Sequence, residues 1–432
     1  MEDTEIIEDF KIGLGESPCV CHKKGGKREK EREREREREE EEERRRRESA
    51  RGDAEAGSAM AEECITECAY ARIGLLGNPS DIYWGKTIAL GITNYGAKVT
   101  LKPNDRAEDG TVTVVPNMRL DVLEHESILT LSETLSERGY YGGTRLLLSL
   151  LKVFADYCKD EGIDLSRSKS GKRGFSLAYE SDVPYQIGLS GSSAIICAAL
   201  KCLVRYYDLK DSIPKPVLPN LMLKSENELG IVAGYMDRVI QVYGGVVCMD
   251  FERTSFEENG HGAYDEMDPK LLPELHLMFR HSSSPSPSSS PSSSQTSEEG
   301  SGNSGRIHSG VRERWLRGDE EVVQAMQVFR AIAEKGAKML LDRKLGEDFA
   351  ALMRRNFNLR RNIFGDEVLG RSNLEMVNLA ESVGAAGKFT GSGGAIVVYC
   401  PRGQEQAKDL ETKCVEKGYA FVKVKVAEPS HW

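Results

Sequence analysis

Apolar and polar positions change their period several times along the chain, and each change marks a predicted element. From Ala69 to Leu90 a strand pattern runs into Gly77-Asn78-Pro79-Ser80-Asp81, a cluster of turn formers. It resumes through A-K-V-T-L and T-V-T-V-V, which predicts strand, turn and return strand. Residues 143–161 contain T-R-L-L-L-S-L-L-K-V-F-A-D-Y, an amphipathic helix whose leucines go to a core. The alternating run G-F-S-L-A-Y-E, 174–180, predicts a strand, and the small and apolar residues 194–204 predict a helix. A further helix is expected over 219–229. Beyond residue 305 come helical segments at about 320–343, 346–363 and 370–383. A strand, glycine turn and strand over 387–400, a helix over 404–417 and the strand A-F-V-K-V-K-V complete an α/β layer.

Two stretches carry no apolar face. Residues 27–48 alternate Glu and Arg and then separate into an acidic and a basic block, with Glu40 to Glu43 each four residues before Arg44 to Arg47. Residues 1–61 are therefore expected to be a disordered charged extension, or a solvated helix, outside the fold. Between 281 and 305 the composition collapses into Ser, Pro and Gly, which cannot bury enough apolar surface to offset the entropy of ordering. The expected organisation is an extension at 1–61, a first domain at 62–280, a disordered insertion at 281–305 and a second domain at 306–432.

Composition narrows the class. The 432 residues are 39% hydrophobic with a net charge of -10, as in a soluble enzyme, and no basic domain points to nucleic acid. No apolar run reaches the roughly eighteen residues of a membrane span, and the acidic N-terminal stretch argues against a targeting peptide, so a cytoplasmic protein is expected. Cysteines such as Cys197, Cys202, Cys248 and Cys400 sit in apolar segments and are expected as buried thiols. C-V-C-H at 19–22 has metal-like spacing but no structural signal around it.

The densest chemistry lies at V-P-Y-Q-I-G-L-S-G-S-S-A, from Val183. A glycine and serine loop between a predicted strand and helix is suited to anions, because the first helix amides have no intrahelical partner and the dipole adds positive potential there. Gly188 and Gly191 let backbone approach a phosphate, and Ser192 and Ser193 offer hydroxyls to oxygens or to magnesium. The same composition also makes an ordinary turn. It is neither a Walker loop nor a dinucleotide fingerprint, since both the Lys-Ser/Thr pair and the G-x-G-x-x-G spacing are missing. Further along, Asp237 stands in the apolar run A-G-Y-M-D-R-V-I, where an unpaired carboxylate is costly to bury, so it has a partner or a job. Asp81, among turn formers, and the glycine hairpin G-K-F-T-G-S-G-G-A each admit a purely structural reading.

In combination these motifs resemble the signatures of the GHMP kinases, small-molecule kinases named for galactose, homoserine, mevalonate and phosphomevalonate. Pro184, Gly188, Leu189, Ser192, Ser193 and Ala194 fit P-x-x-x-G-L-x-S-S-A with one extra residue, A-G-Y-M-D-R is similar to G-I-M-D-Q, and K-F-T-G-S-G-G is similar to K-x-T-G-x-G-x-G-G with one glycine fewer. Arg72, Gly77 and Asp81 match the N-terminal segment, Tyr83 lies one beyond its tyrosine, and Asn78-Pro79 replace a Glu-His pair that helps galactokinases hold sugar.

The resemblance implies an α+β, two-domain fold, with an N-terminal domain like ribosomal S5 domain 2 and a ferredoxin-like C-terminal domain. It implies ATP as cosubstrate and Mg2+ as cofactor, with Asp237 as catalytic base and Arg72 neutralising charge near the transferred phosphoryl. Gly188, Leu189, Ser190, Gly191, Ser192, Ser193, Ala194, Gly391 and Gly393 would bind nucleotide, Ser193 and Glu226 the metal, and Asp81, Asn78 and Gly234 the substrate. Within the family the likeness is greatest to kinases of glucuronate, through N-P-S-D-I-Y-W-G-K, I-H-S-G-V-R-E-R-W and L-R-R-N-I-F-G-D-E. Such an enzyme makes D-glucuronate 1-phosphate on the way to UDP-glucuronate. Another sugar 1-kinase, for galactose, arabinose or galacturonate, or a noncatalytic sugar sensor, remains an alternative. A sugar acid needs a cation for its carboxylate, and Arg312, Arg314 and Lys86 are equal candidates. The oligomeric state is left open.

Overall fold

The computed structural model describes residues 64–106, 108–121, 127–129, 142–280, 304–430 and 432, with side chains at 304–309 excepted. The charged run at 1–61, the serine tract at 281–303 and the C-V-C-H motif lie outside the described residues.

From Cys64 onward the chain is one compact unit containing two sheets. Strand β1, Ile65–Leu76, runs antiparallel to β2, the 18-residue strand Lys86–Pro103. The other edge of β2 is shared: its second half pairs with β4, Phe175–Ser181, and its first half with β5, Val246–Asp250. β3, Val112–Val114, adds to β4 in parallel, and β6, Ala263–Met267, adds to β5. Against this sheet pack α1 (Gly143–Asp160), α2 (Gly191–Tyr206) and α4 (Met236–Tyr243), α3 (Leu218–Glu228) packs on those three helices, and the short α5 (Arg253–Asn259) links β5 to β6.

The second sheet has the order β10-β7-β9-β8, with every pairing antiparallel. Its strands are β7 (Leu275–Arg280), β8 (Ala386–Phe389), β9 (Ala395–Tyr399) and β10 (Tyr419–Lys423). Numbered within the sheet, that order is 4-1-3-2, the ferredoxin-like arrangement. Its first strand, β7, precedes the serine tract in sequence and pairs with β9 and β10, which follow it. Helices α6 (Ser304–Leu316), α7 (Glu320–Leu341), α8 (Glu347–Phe364), α9 (Asp366–Leu369), α10 (Arg371–Ser382) and α11 (Gln404–Glu416) belong to this half.

Strand alternation divides the core into layers. Leu275, Leu277 and Phe279 of β7 and Ala395, Val397 and Tyr399 of β9 face a shared core with Ile73, Leu75, Ile88 and Leu90 of the first sheet. Met278, Ile396 and Val398, one position out of phase, face the outer helices with Phe329 and Phe357. Both faces of the second sheet are therefore buried, which explains why β9 reads as a continuous apolar run. The tail after β10 returns to the first sheet: Thr93 N donates to Lys425 O at 2.8 Å, Ala427 N to Gly91 O at 2.8 Å and Ser430 N to Tyr243 O at 2.6 Å.

Candidate active site

The site starts from the alternation of β1. Ala71 and Ile73 enter the core between the sheets, which turns Arg72 to the opposite face, where it is 3% exposed. A buried guanidinium needs acceptors for its fixed fork of donors, and Arg72 has them. Its Nε lies 2.5 Å from Asp237 Oδ1 and its Nη2 2.8 Å from Asp237 Oδ2, while Nη1 donates to the carbonyls of Gly188 at 2.6 Å and Thr390 at 3.2 Å. The β1 backbone also joins both glycine loops, with Arg72 N donating to Leu189 O at 3.3 Å and Gly74 N to Thr390 O at 2.8 Å.

Ser190, just before α2, adopts the left-handed conformation (φ 61°, ψ 47°). Its hydroxyl does not cap the helix but donates to Asp237 Oδ2, and its carbonyl accepts from Gln241 Nε2 at 2.9 Å. No side chain caps the first amides of α2, which stay directed at whatever lies before the helix. The glycines here serve close approach. A methyl at position 188, where φ is +69°, would stand 2.3 Å from the Gly393 carbonyl oxygen, and one at 391 would stand 2.5 Å from Arg72 Nη2. The turn before α2 and the β8–β9 turn are therefore packed backbone to backbone.

Asp237 sits in the first turn of α4, its side chain 18% exposed. Next to it, Asp81 is 7% exposed and accepts from Met236 N at 3.2 Å. Burial and then the charge of Asp237 push the Asp81 carboxyl above the usual range, so its protonated form is favoured more than in water. A methyl on Gly234 would lie 1.9 Å from Asp81 Oδ2, so only glycine leaves room for that carboxyl.

Behind α2, Glu226 is fully buried. Ser193 Oγ donates to its Oε1 at 2.9 Å and Ser192 Oγ at 3.2 Å, and Arg238 pairs with its Oε2. Arg238 also donates to Gly234 O at 2.8 Å. Burial, and then Arg72, lower its guanidinium to about 9, still charged at neutral pH.

The far wall comes from the second half of the chain. Asn78, after β1, is buried, and its Oδ1 accepts from Lys388 Nζ at 2.7 Å. Lys388 also donates to Gly74 O at 2.8 Å and Phe389 O at 2.9 Å. Burial, then Arg360 and Arg72, push its pKa well down, while three acceptors favour the ammonium, the only form with three donors. Asn356 of α8 accepts from Gly77 N at 2.7 Å. One turn on, Arg360 donates to Gly391 O at 2.7 Å, with its guanidinium over the rings of Phe364 and Phe389. Of the cations proposed for a substrate carboxylate, Lys86 pairs with Asp250 at 3.1 Å and Arg314 with Asp319 at 2.8 Å and Glu321 at 2.7 Å.

Residues 145–245 match the model of the GHMP kinases N terminal domain. The chain is 44% identical to glucuronokinase 1 of Arabidopsis thaliana over 372 residues, 86% of this chain and 95% of that protein. The chain belongs to the glucuronokinases, a branch of the GHMP kinases. It is 45% identical to the probable glucuronokinase 2 of the same plant over 358 residues, 83% of this chain and 90% of that one. The fold is also that of solved GHMP kinases. Methanococcus jannaschii mevalonate kinase superposes with a TM-score of 0.57 at 15% identity, covering 84% of this chain and 98% of that one. Lactococcus lactis galactokinase, solved with galactose, gives 0.56 at 16% identity, covering 86% and 95%.

In this GHMP kinase residues from four distant motifs meet: Arg72, the loop residues Gly188 and Ser190, Asp237, and the turn at 391–393. Asn78 spends its side-chain oxygen on Lys388, and Gly188 makes room for Gly393. Sequence reasoning passed over Lys388 and Arg360, and weighed Arg238 only as a helix-surface partner of Asp237, whose Oδ2 lies 3.5 Å from Arg238 Nη1. Lys388 and Arg238 had a signal of the same kind as Asp237, a charge inside an apolar run, and Arg360 shares a helix face with Asn356 four residues earlier. No helix is long and apolar enough to cross a membrane among the described residues, and none of their His, Cys, Asp and Glu side chains form a metal-holding group of three or more.

Proposed function

We propose that this chain transfers the γ-phosphoryl group of ATP to the anomeric hydroxyl of D-glucuronate, giving ADP and D-glucuronate 1-phosphate. The 44% and 45% identical relatives named as glucuronokinases support the substrate. The observation that carries the chemistry is Ser190. This single residue precedes the uncapped α2 N-terminus and touches Asp237, so a base stands one side chain away from an anion site.

The amides at the start of α2 hold the triphosphate, and the helix dipole offsets its charge. A carboxylate has about four acceptor positions. Asp237 fills three, two with Arg72 and one with Ser190, and keeps one on Oδ1 for the sugar hydroxyl. The anomeric oxygen attacks the γ-phosphorus, the bond to the bridging oxygen breaks, ADP departs with the electron pair, and the hydroxyl proton ends on Asp237. Arg72 holds the carboxylate in place and puts positive charge beside the transferred group. Asp81 meets a ring hydroxyl, and Asn78 with Gly234 shapes that wall.

Ser193 Oγ and the Glu226 carboxylate, which in the buried pair bond each other with Ser192 and Arg238 alongside, are hard donors that would hold Mg2+ by exchanging those bonds for the ion, with phosphates and water completing its shell. The bound ion would neutralise the β- and γ-phosphates. We place the protein in the cytoplasm, where its cysteines would stay thiols.

The test is ADP release by the purified protein with Mg-ATP and D-glucuronate, D-galacturonate, D-galactose or L-arabinose. Turnover with glucuronate above the others is expected. Turnover confined to a neutral sugar or to galacturonate would replace the substrate, and sugar binding without ADP release would leave a sensor.

A further inference from the structure

Resting on the glucuronate reading, one question of the site can be taken further: what meets the carboxylate at C6. In a pyranuronate that group is carried on C5, across the ring oxygen from the anomeric carbon and several ångströms from the reacting hydroxyl, so its partner is a residue other than Asp237. Asp81, close enough to Asp237 to feel its charge, sets the direction, and two residues on along the same helical turn comes Tyr83.

The Tyr83 ring is packed into the outer core, 5.5 Å from the ring of Trp315 on α6. Its hydroxyl is buried and has no hydrogen-bond partner, a costly state for a phenol unless something else comes to it. Val311 and Trp315, four residues apart on α6, seat that helix on Tyr83, and Arg312 follows Val311 on the exposed border of the same contact.

Among the described side chains, the other cations named at the site are committed. Arg72 is on Asp237, Arg238 on Glu226, Arg360 on the carbonyls of Gly391 and Ser392, and Lys388 on three acceptors. Lys86 and Arg314 have carboxylates of their own. Arg312 has no hydrogen-bond acceptor or ion-pair partner among the described residues.

We propose that the substrate carboxylate is held between the Arg312 guanidinium and the Tyr83 hydroxyl, beyond Asp81 from Asp237. The line Asp237, Asp81, Tyr83, Arg312 then meets the substrate in order: reacting hydroxyl, ring hydroxyl, carboxylate. Tyr83 feels both neighbours, since burial and then Asp81 raise its pKa while Arg312 lowers it, so the phenol stays protonated and able to donate. A planar guanidinium and one O–H donor match the two oxygens of a carboxylate.

The test uses the full chain with D-glucuronate and with D-glucuronamide, which carries an uncharged amide at C6. The wild-type protein is expected to prefer the acid. Arg312→Ala, an exposed position, should raise KM for glucuronate about tenfold to a hundredfold and bring the acid and amide to similar KM, with KM for ATP and Tm unchanged. Tyr83→Phe keeps the packed ring and should raise KM for glucuronate several-fold. If Arg312→Ala keeps the wild-type preference for the acid, the proposal is overturned and the kinase reading stands. If the wild-type protein does not phosphorylate glucuronate at all, the kinase reading falls first and this proposal with it.

Discussion

Arg72 and Asp237, 165 residues apart in sequence, meet in a two-point ion pair, Nε to Oδ1 at 2.5 Å and Nη2 to Oδ2 at 2.8 Å. The arrangement fixes the plane of the carboxylate, and with it the direction of its remaining acceptor position. Asp237→Asn keeps the shape but removes the base, so kcat should fall about 10²- to 10⁴-fold with little change in KM for ATP. Arg72→Lys should also lower kcat, because one ammonium cannot hold both oxygens. Steady-state kinetics of both variants decide this, and an Asp237→Asn protein with near wild-type kcat would remove the aspartate from the chemistry.

The clearance at Gly234 gives a sharper separation of the two substrates. A methyl there would sit 1.9 Å from Asp81 Oδ2 and must displace that carboxyl. Gly234→Ala is expected to raise KM for the sugar about tenfold or more while KM for ATP stays within about twofold, since the phosphate loop lies elsewhere. Equal effects on both would mean that Asp81 does not face the sugar.

Asp81 also links function to stability. Its folded pKa is raised above the unfolded value, so its contribution to stability is complete below the unfolded pKa of about 3.8 and is lost as pH rises through the folded pKa. Asp81→Asn removes the ionising group. The variant should therefore be more stable than wild type at neutral pH, with the difference in Tm shrinking as pH falls towards 4, while activity is lost. Thermal melts of both proteins across that range check the sign, and a variant less stable at pH 7 would contradict it.

The two glycine turns are expected to behave as one unit. Gly188→Ala places a methyl 2.3 Å from the Gly393 carbonyl oxygen at a φ of +69°. Overpacking against backbone typically costs about 1–3 kcal/mol, so Tm should drop and KM for ATP should rise together. Gly230→Ala, at a position with similar φ (+71°) but open space, should cost less and leave KM for ATP unchanged.

How much of this was legible follows from how local each signal is. The loop before α2 announced itself because its glycines, serines and helix are contiguous, and Asp237 because a carboxylate in an apolar run demands a reason. The resemblance set Arg72 beside Asp237, but the local sequence did not, and the remaining partners were not legible. Nothing near Asp237 names Arg72, and nothing in K-F-T-G says that Lys388 will be met by Asn78, whose sequence context suggested a sugar contact instead. Lys86, Arg314 and Arg312 are alike in the sequence, and the ion pairs that retire the first two depend on which surface carboxylates fold beside them. β7 was the largest omission. A six-residue strand, L-H-L-M-F-R, ahead of a serine tract gives no hint that its sheet partners lie beyond it.

That strand and the chain's tail make a reciprocal loan. The part before the tract lends β7 to a sheet otherwise built after it, and the part after the tract lends residues 424–430 to the interior strand β2 and to residues 243–245 of the first half. A protease that cut within the tract would therefore leave one particle rather than two, held together by hydrogen-bonded backbone in both directions. The two halves of this kinase are laced together by the pairing of β7 and by residues 424–430, so the covalent link through the tract is not what holds them.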